Sequence, residues 1–262
     1  MNKESYNQFY QNEYRTLYGD LTSDIDASFL NSQKKGDVLF DLLTKQIDIA
    51  SIETVCDIGC HMGAMLIPFL NLGKQVFGAD FNEDFLSYGR KRTGIENLFF
   101  GGIEQLVQQG VRADLIILNH VFEHFVNIEE ELNKIKEIMN PDSYVFISVP
   151  GTFWWLKNIC GGDLMGLLQS AHTYQFSLNS LTYVMECCGF KEKWGTEEIN
   201  SIYRYRGDVR QKTDIVSGEA DKVINYLQVL EKKHRAKASV LKILDTLRVK
   251  DILKKILKKK TK

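Results

Sequence analysis

No run of eighteen apolar residues occurs anywhere in the 262-residue chain, so a membrane-spanning helix is not expected. The opening Met1-Asn2-Lys3-Glu4-Ser5-Tyr6 lacks the apolar core of a secretory signal. Cysteine is sparse: Cys56, Cys60, Cys160, Cys187 and Cys188 are odd in number and form no C-x-x-C pair, which fits a reducing cytoplasm better than a disulfide framework. Cys56 and Cys60 are spaced closely enough to suggest a metal clip, but they flank an apolar turn and are expected to pack as small apolar groups. No internal repeat is visible. Aromatic residues stop at Tyr205 apart from Tyr226, which leaves the basic C-terminal stretch without a platform for stacked bases, so nucleic acid is not an expected partner.

What is present is ordinary for a globular protein, with 44% hydrophobic and 26% charged residues. The length suits one sizeable core plus an appendage, or two small domains. The net charge of −1 hides an asymmetry, because residues 222–262 hold 14 Lys and Arg against the acids Glu231, Asp245 and Asp251. That leaves a tail of +11 on a body of −12.

Periodicity predicts an aromatic-rich amphipathic helix over residues 4–18 and a second helix over 31–47, with Val38, Leu39, Leu42 and Leu43 on its inner stripe. From residue 53 the period changes. Strand-like runs at 55–58, 75–79, 98–100, 115–118 and 144–149 alternate with helix-compatible segments at 62–72, 83–92, 103–109 and 128–139. That alternation predicts a parallel sheet with helices on both faces, which the unbroken apolar run Leu115-Ile116-Ile117-Leu118 also requires. Pro141-Asp142 marks a turn before the fifth strand, and residues 151–172 read as irregular. A helix over 178–188 closed by Gly189 is followed by two strands, 190–197 and 199–205.

The stretch that organises the rest is Val55-Cys56-Asp57-Ile58-Gly59-Cys60-His61-Met62-Gly63, a short strand running into a glycine turn that opens a helix. Gly59 and Gly63 permit a sharp bend and close approach of a ligand to the backbone. Seventeen residues after Gly63, Asp80 ends the second strand-like run, where a doubly wound fold places the acid that holds both hydroxyls of a ribose. A nicotinamide fingerprint would need G-x-G-x-x-G. Cys60-His61-Met62-Gly63-Ala64-Met65 lacks two of those glycines, so a cofactor without a pyrophosphate fits better.

Four motifs in order, Asp57-Ile58-Gly59-Cys60-His61-Met62-Gly63, Gly78-Ala79-Asp80-Phe81, Asp114-Leu115-Ile116-Ile117-Leu118-Asn119-His120-Val121-Phe122-Glu123-His124 and Tyr144-Val145-Phe146-Ile147-Ser148-Val149-Pro150, resemble class I S-adenosylmethionine-dependent methyltransferases over residues 50–205. The nearest in character are enzymes that methylate sugars and quinones. The resemblance implies an α/β, Rossmann-like, seven-stranded, mostly parallel sheet with helices on both faces and S-adenosyl-L-methionine as cofactor. It implies that Asp57 and the backbone of Gly59 and Cys60 hold the methionine end and that Asp80 takes the ribose. Phe81 would pack on the adenine, the Ile103 amide would meet the adenine edge, and Asn119 and His120 would line the pocket beside the sulfonium. Two departures are His61, in place of the usual middle glycine, and Gly102, where an acid often stands.

His120-Val121-Phe122-Glu123-His124 also has the H-x-x-E-H form of a zinc peptidase, which needs both histidines on one regular helix and a further ligand. Its place directly after the fourth strand favours acceptor positioning without a metal, with metal-assisted methyl transfer as the alternative; no metal is expected. Candidate catalytic groups are His120, His124 and His172 as bases and Glu123 as orienter or second base. Phe153-Trp154-Trp155 offers aromatic faces to a sugar or quinone.

The expected organisation is 1–48 as helices capping the site, 49–206 as the cofactor-binding domain and 207–262 as a basic helical extension. Val240, Ile243, Leu244, Leu247, Val249, Ile252, Leu253, Ile256 and Leu257 give that extension an apolar stripe among lysines. Such a helix either docks on the body or a second copy, or lies on an anionic membrane surface. The function expected is O-methylation of a small hydroxylated acceptor such as a sugar or glycan intermediate, in the cytoplasm or at the inner face of a membrane. The alternatives are a quinone or phenol acceptor, or a non-catalytic cofactor-binding or partner-binding module.

Overall fold

The strands at the centre of the sheet bury both of their faces, which is why their sequences run apolar without alternation, whereas the edge strand over 190–195 buries only Phe190 fully. In β4 (Ala113–Asn119), Leu115 and Ile117 join one core while Ile116 and Leu118 join the other. The computed structural model describes residues 24–169, 171–208 and 218–246, together with Gln8, Phe9 and Glu13. Of the aromatic segment expected over 4–18, Tyr10, Tyr14 and Tyr18 lie outside the described residues, as do positions 247–262 of the basic tail.

The strands in chain order are β1 (Thr54–Ile58), β2 (Gln75–Asp80), β3 (Leu98–Phe100), β4, β5 (Met139–Ser148), β6 (Phe190–Gly195) and β7 (Asn200–Tyr205). They form one sheet of order β3-β2-β1-β4-β5-β7-β6. β1 to β5 pair in parallel, and β7 runs antiparallel between β5 and β6. The order reverses at β1 and β4, and the crevice at the carboxyl ends of those two strands is where an open α/β sheet binds ligands.

The helices are α1 (Ile25–Gln46), α2 (Ile67–Asn71), α3 (Glu83–Thr93), α4 (Ile103–Gln108), α5 (Ile128–Glu137), α6 (Thr152–Asn158), α7 (Leu164–Leu167), α8 (Leu178–Cys187) and α9 (Glu219–Thr246). Asp24, Asn82 and Asn127 cap α1, α3 and α5 with their side chains, and Ser177 and Ser180 form a reciprocal capping box on α8.

Four details depart from the sequence expectation. Val38 is 70% exposed, because the inward stripe of α1 runs through Gly36, Leu39 and Leu43 instead. Gly36 sets that face: a Cβ there would stand 2.7 Å from Met65 Cα. The helix expected over 62–72 is divided, with Gly63 left-handed at φ 69°, a 3₁₀ turn at Ala64–Leu66 and α2 beyond it. The turn at Pro141-Asp142 is a bulge inside β5. Asp142 takes φ 65°, the register shifts between Ala113 and Leu115, and Ser143 Oγ donates to Ala113 O at 2.7 Å. Residues 151–172 are not irregular, since α6 and α7 lie within them.

The segment 151–177 is an excursion whose ends meet. Gly151 bridges Phe176, and both the N–H and the Oγ1 hydroxyl of Thr152 donate to Phe176 O, at 2.8 and 2.9 Å. The first turns of α9 close its back. Tyr226 Oη donates to Phe153 O at 2.8 Å, and Glu219 accepts from Ser177 Oγ and Asn179 Nδ2.

Candidate active site

The cofactor side of the crevice is built on positive φ angles. Gly59 (φ 76°), His61 (φ 56°) and Gly63 (φ 69°) bend the chain back on itself after β1. A Cβ on Gly59 would lie 2.5 Å from Val121 Cγ2, so the turn needs glycine for room as well as conformation. The amides of Gly59 and Cys60 both donate to Ala79 O, at 2.8 and 3.0 Å, which ties the turn to β2. Those two N–H groups are therefore committed within the protein, and the Cys60 carbonyl accepts from the Gly63 amide at 2.8 Å.

Asp80 clasps the turn from β2. Its Oδ2 accepts from the His61 amide at 2.9 Å and its Oδ1 from the Asn82 amide at 3.0 Å. Asp57, 2% exposed on β1, is pushed up to about pKa 8 by burial first and then by the Asp80 charge. A cationic group bound between the two acids offsets both effects. His61 lays its ring edge-on to Phe85, 4.1 Å between centroids, in place of the middle glycine.

Gly102 leaves room for Phe81: a Cβ there would stand 3.1 Å from Phe81 Cζ. Ile103 opens α4 behind Gly102, a cap without a side-chain bond, so its amide belongs to the unsatisfied first turn of that helix. Asn119 ends β4 with its Nδ2 3.8 Å from Met65 Sδ. Cys56 and Cys60 fall in different cores, on opposite sides of the sheet, which rules out a clip between them; burial pushes both thiols up.

The other side of the crevice follows β4, where the candidate catalytic residues lie. His120 leaves the strand at φ 55°, its amide donating to Ser148 O at 2.8 Å, and its side chain is 44% exposed. The next residues form a single 3₁₀ turn, Phe122–His124, rather than the regular helix a zinc peptidase needs. That turn buries Glu123 at 1% exposure, with neither carboxylate oxygen accepting a hydrogen bond among the described residues. Around its Oε1 stand His120 Nδ1 at 3.4 Å, His124 Nε2 at 3.9 Å and His172 Nε2 at 3.9 Å. Burial lowers the pKa of His172, followed in size by the opposing pull of Glu123 and then by His124 and His120, which lower it further.

The fold thus gathers all four candidate catalytic residues about one carboxylate. Trp155 of α6 meets His120 edge-on at 5.9 Å, whereas Phe153 turns away to pack on Tyr226. Two contributors were not anticipated. Gln175 Nε2 lies 3.3 Å from His172 Nδ1 and orients that ring. Gly89 of α3 lets its helix press on the cofactor turn, where a Cβ would come 2.2 Å from Met62 O. A lone glutamine carries no sequence signal, but a glycine inside a predicted helix does. Beyond Gln175 lies an apolar cavity of about 630 Å³, lined by Thr152, Leu164, Leu167, Tyr183 and Leu227 among others.

A sheet of this order with an antiparallel seventh strand, and a glycine turn clasped by an acid one strand over, is the architecture of class I S-adenosylmethionine-dependent methyltransferases. The family model described as "Methyltransferase domain" matches residues 15–192, and the chain belongs to that family. Among curated proteins it is 28% identical over 158 residues to the C-methyltransferase NovU of Streptomyces niveus, covering 58% of this chain and 36% of that one. It is 25% identical over 129 residues to the ubiquinone biosynthesis O-methyltransferase of Bartonella tribocorum, covering 46% and 52%. The matches thus span about a third and a half of those relatives' lengths. Magnesium protoporphyrin IX methyltransferase from Synechocystis PCC 6803, solved with bound S-adenosylhomocysteine, shares the fold with a TM-score of 0.51 at 16% identity, over 78% of this chain and 100% of the other.

Proposed function

We propose that the protein transfers the methyl group of S-adenosylmethionine to a hydroxyl oxygen of a small acceptor, with a sugar or glycan intermediate as the first class to test. The observation that carries this reading is the placement of His120, half-exposed and 3.4 Å from the buried Glu123 carboxylate, at the carboxyl edge of β4. Asp57 and Asp80 provide the negative surroundings that suit a cationic cofactor, and Phe81 and Ile103 flank the place of its adenine.

In the transfer, the acceptor oxygen attacks the methyl carbon in line. The C–O bond forms as the C–S bond breaks, the sulfur leaves as a neutral thioether, and the hydroxyl proton passes to His120. Glu123 stabilises the resulting imidazolium at short range. Trp155 gives the CH face of a ring something flat to rest on. Alignment and proton removal are what the chain contributes; the sulfonium supplies the electrophile.

The similarity to a ubiquinone biosynthesis O-methyltransferase keeps phenols as the second acceptor class. The deciding experiment is methyl transfer to nucleotide sugars, glycans and catechols, with S-adenosylhomocysteine release as the readout. Turnover on a sugar hydroxyl supports the reading, and turnover on catechols alone replaces the acceptor. Tight cofactor binding with no acceptor methylated would make the chain a binding module.

A further inference from the structure

We propose that Glu123, His124 and His172 form a divalent transition-metal site that fastens the 151–177 excursion to the carboxyl edge of β4. The inference goes beyond methyl transfer and does not depend on the acceptor. Its ligand atoms, one carboxylate oxygen and two imidazole nitrogens, all lie within 4.8 Å of one another. Glu123 Oε1 is 3.9 Å from each Nε2, close to the ~3.4 Å edge of a tetrahedron with bonds of about 2.1 Å.

Three further features single out the cluster. The first is the buried carboxylate, to which no group among the described residues donates a hydrogen bond although its desolvation is costly. The second is the outer partners. His124 Nδ1 lies 2.9 Å from Ala171 O and must donate to it, which leaves the lone pair of the neutral ring on Nε2, on the Glu123 side. His172 Nδ1 faces the Gln175 amide, which serves either tautomer by turning over. Histidines that ligate metals are held through the other ring nitrogen in this way. A carboxylate and a lone-pair nitrogen 3.9 Å apart repel unless a proton or a cation lies between them.

The third feature is rigidity. The amides of Thr173 and Tyr174 donate to Glu123 O at 2.9 and 3.2 Å, and Tyr174 Oη donates to Val126 O at 3.2 Å. The buried Phe122, next to Glu123 in sequence, packs on Phe125 and on Phe176 of the excursion, and the His124 and His172 rings meet edge-on at 4.9 Å. Two imidazoles and one carboxylate suit Zn²⁺, Co²⁺ or Fe²⁺ rather than Mg²⁺ or Ca²⁺, and three protein ligands leave a fourth position for water.

The test uses the full chain, stripped with chelator and dialysed against Zn²⁺ or Co²⁺. About one equivalent per chain should remain, and the cobalt form should show the visible absorption of a four- or five-coordinate ion. Glu123→Gln and His172→Ala should each weaken retention at least ~100-fold, and Gln175→Leu about 10-fold, in line with the worth of an outer partner. His172→Ala lies on the excursion and keeps the test decisive should Glu123→Gln fail to fold. No retained metal, or retention unchanged in both ligand variants, would overturn the site. S-adenosylhomocysteine calorimetry on the same samples reads the cofactor pocket separately, so loss of the metal claim leaves the methyltransferase reading standing.

Discussion

The two sides of the crevice are built by opposite means. On the cofactor side the central turn is close in sequence and joined by one strand pairing: Asp57, Gly59 and His61 lie within five residues, and Asp80 reaches them across the β1–β2 ladder. On the acceptor side the central carboxylate of Glu123 is met by His172, which arrives from an excursion 49 residues further along the chain. The first arrangement is fixed by backbone geometry and tolerates little change in φ or volume. The second is held by side chains and a few loop hydrogen bonds, which allows the chemistry to vary while the cofactor pocket stays the same.

That contrast is most sharply tested by His120→Ala. Loss of a positioned base should lower turnover by about 10²–10⁴-fold while S-adenosylhomocysteine affinity stays within about 2-fold. Turnover at the wild-type level would remove His120 from the chemistry. On the other side, Gly89→Ala brings a Cβ within 2.2 Å of Met62 O, and denaturant unfolding should report a loss of about 1–3 kcal/mol together with weaker cofactor binding. An unchanged midpoint would mean that the turn yields more readily than its contacts imply.

Charge gives a smaller, signed effect. Asp57 has its pKa raised to about 8 in the folded protein, so between pH ~4 and 8 the ligand-free fold binds more protons than the unfolded chain. Stability contributed by this group is complete below the unfolded value and falls as the pH rises through about 8. The charged carboxylate is the form that attracts an ammonium group, so cofactor affinity should rise by up to about 25-fold from pH 6.5 to 8.5. Asp57→Asn should flatten that profile in calorimetry, and a profile as steep as wild type would assign it to another group. Smallest of all, Val38→Ala should change stability by less than about 0.5 kcal/mol where Leu43→Ala costs about 2–5. Equal losses would put the inner face of α1 elsewhere.

Most of the sheet was legible because strands buried on both faces leave continuous apolar runs, as in Leu115-Ile116-Ile117-Leu118. The spacing from Gly63 to Asp80 was legible because one crossover helix separates the two strand ends. Val38 was misread because valine and leucine look alike to a periodicity argument, while the neighbour that sets the face, Gly36, acts through the Cβ it lacks. Residues 151–172 hid two helices because α6 and α7 span only seven and four residues, too short to display a period. His120, Glu123, His124 and His172 could be named as chemically able. Their meeting around one carboxylate could not, since it depends on the Gly151–Phe176 bridge that returns the excursion to its start. Gln175 had no signal in the sequence.

The central claim is a nucleoside pocket between the Gly59 turn and Asp80. Titration calorimetry of S-adenosylhomocysteine into the wild-type chain and Asp80→Asn measures it directly. The account predicts one-site binding to the wild type and at least about 10-fold weaker binding to the variant, the worth of a charged hydrogen-bond acceptor. Absence of heat with the wild type, or equal affinity in the two proteins, would contradict it.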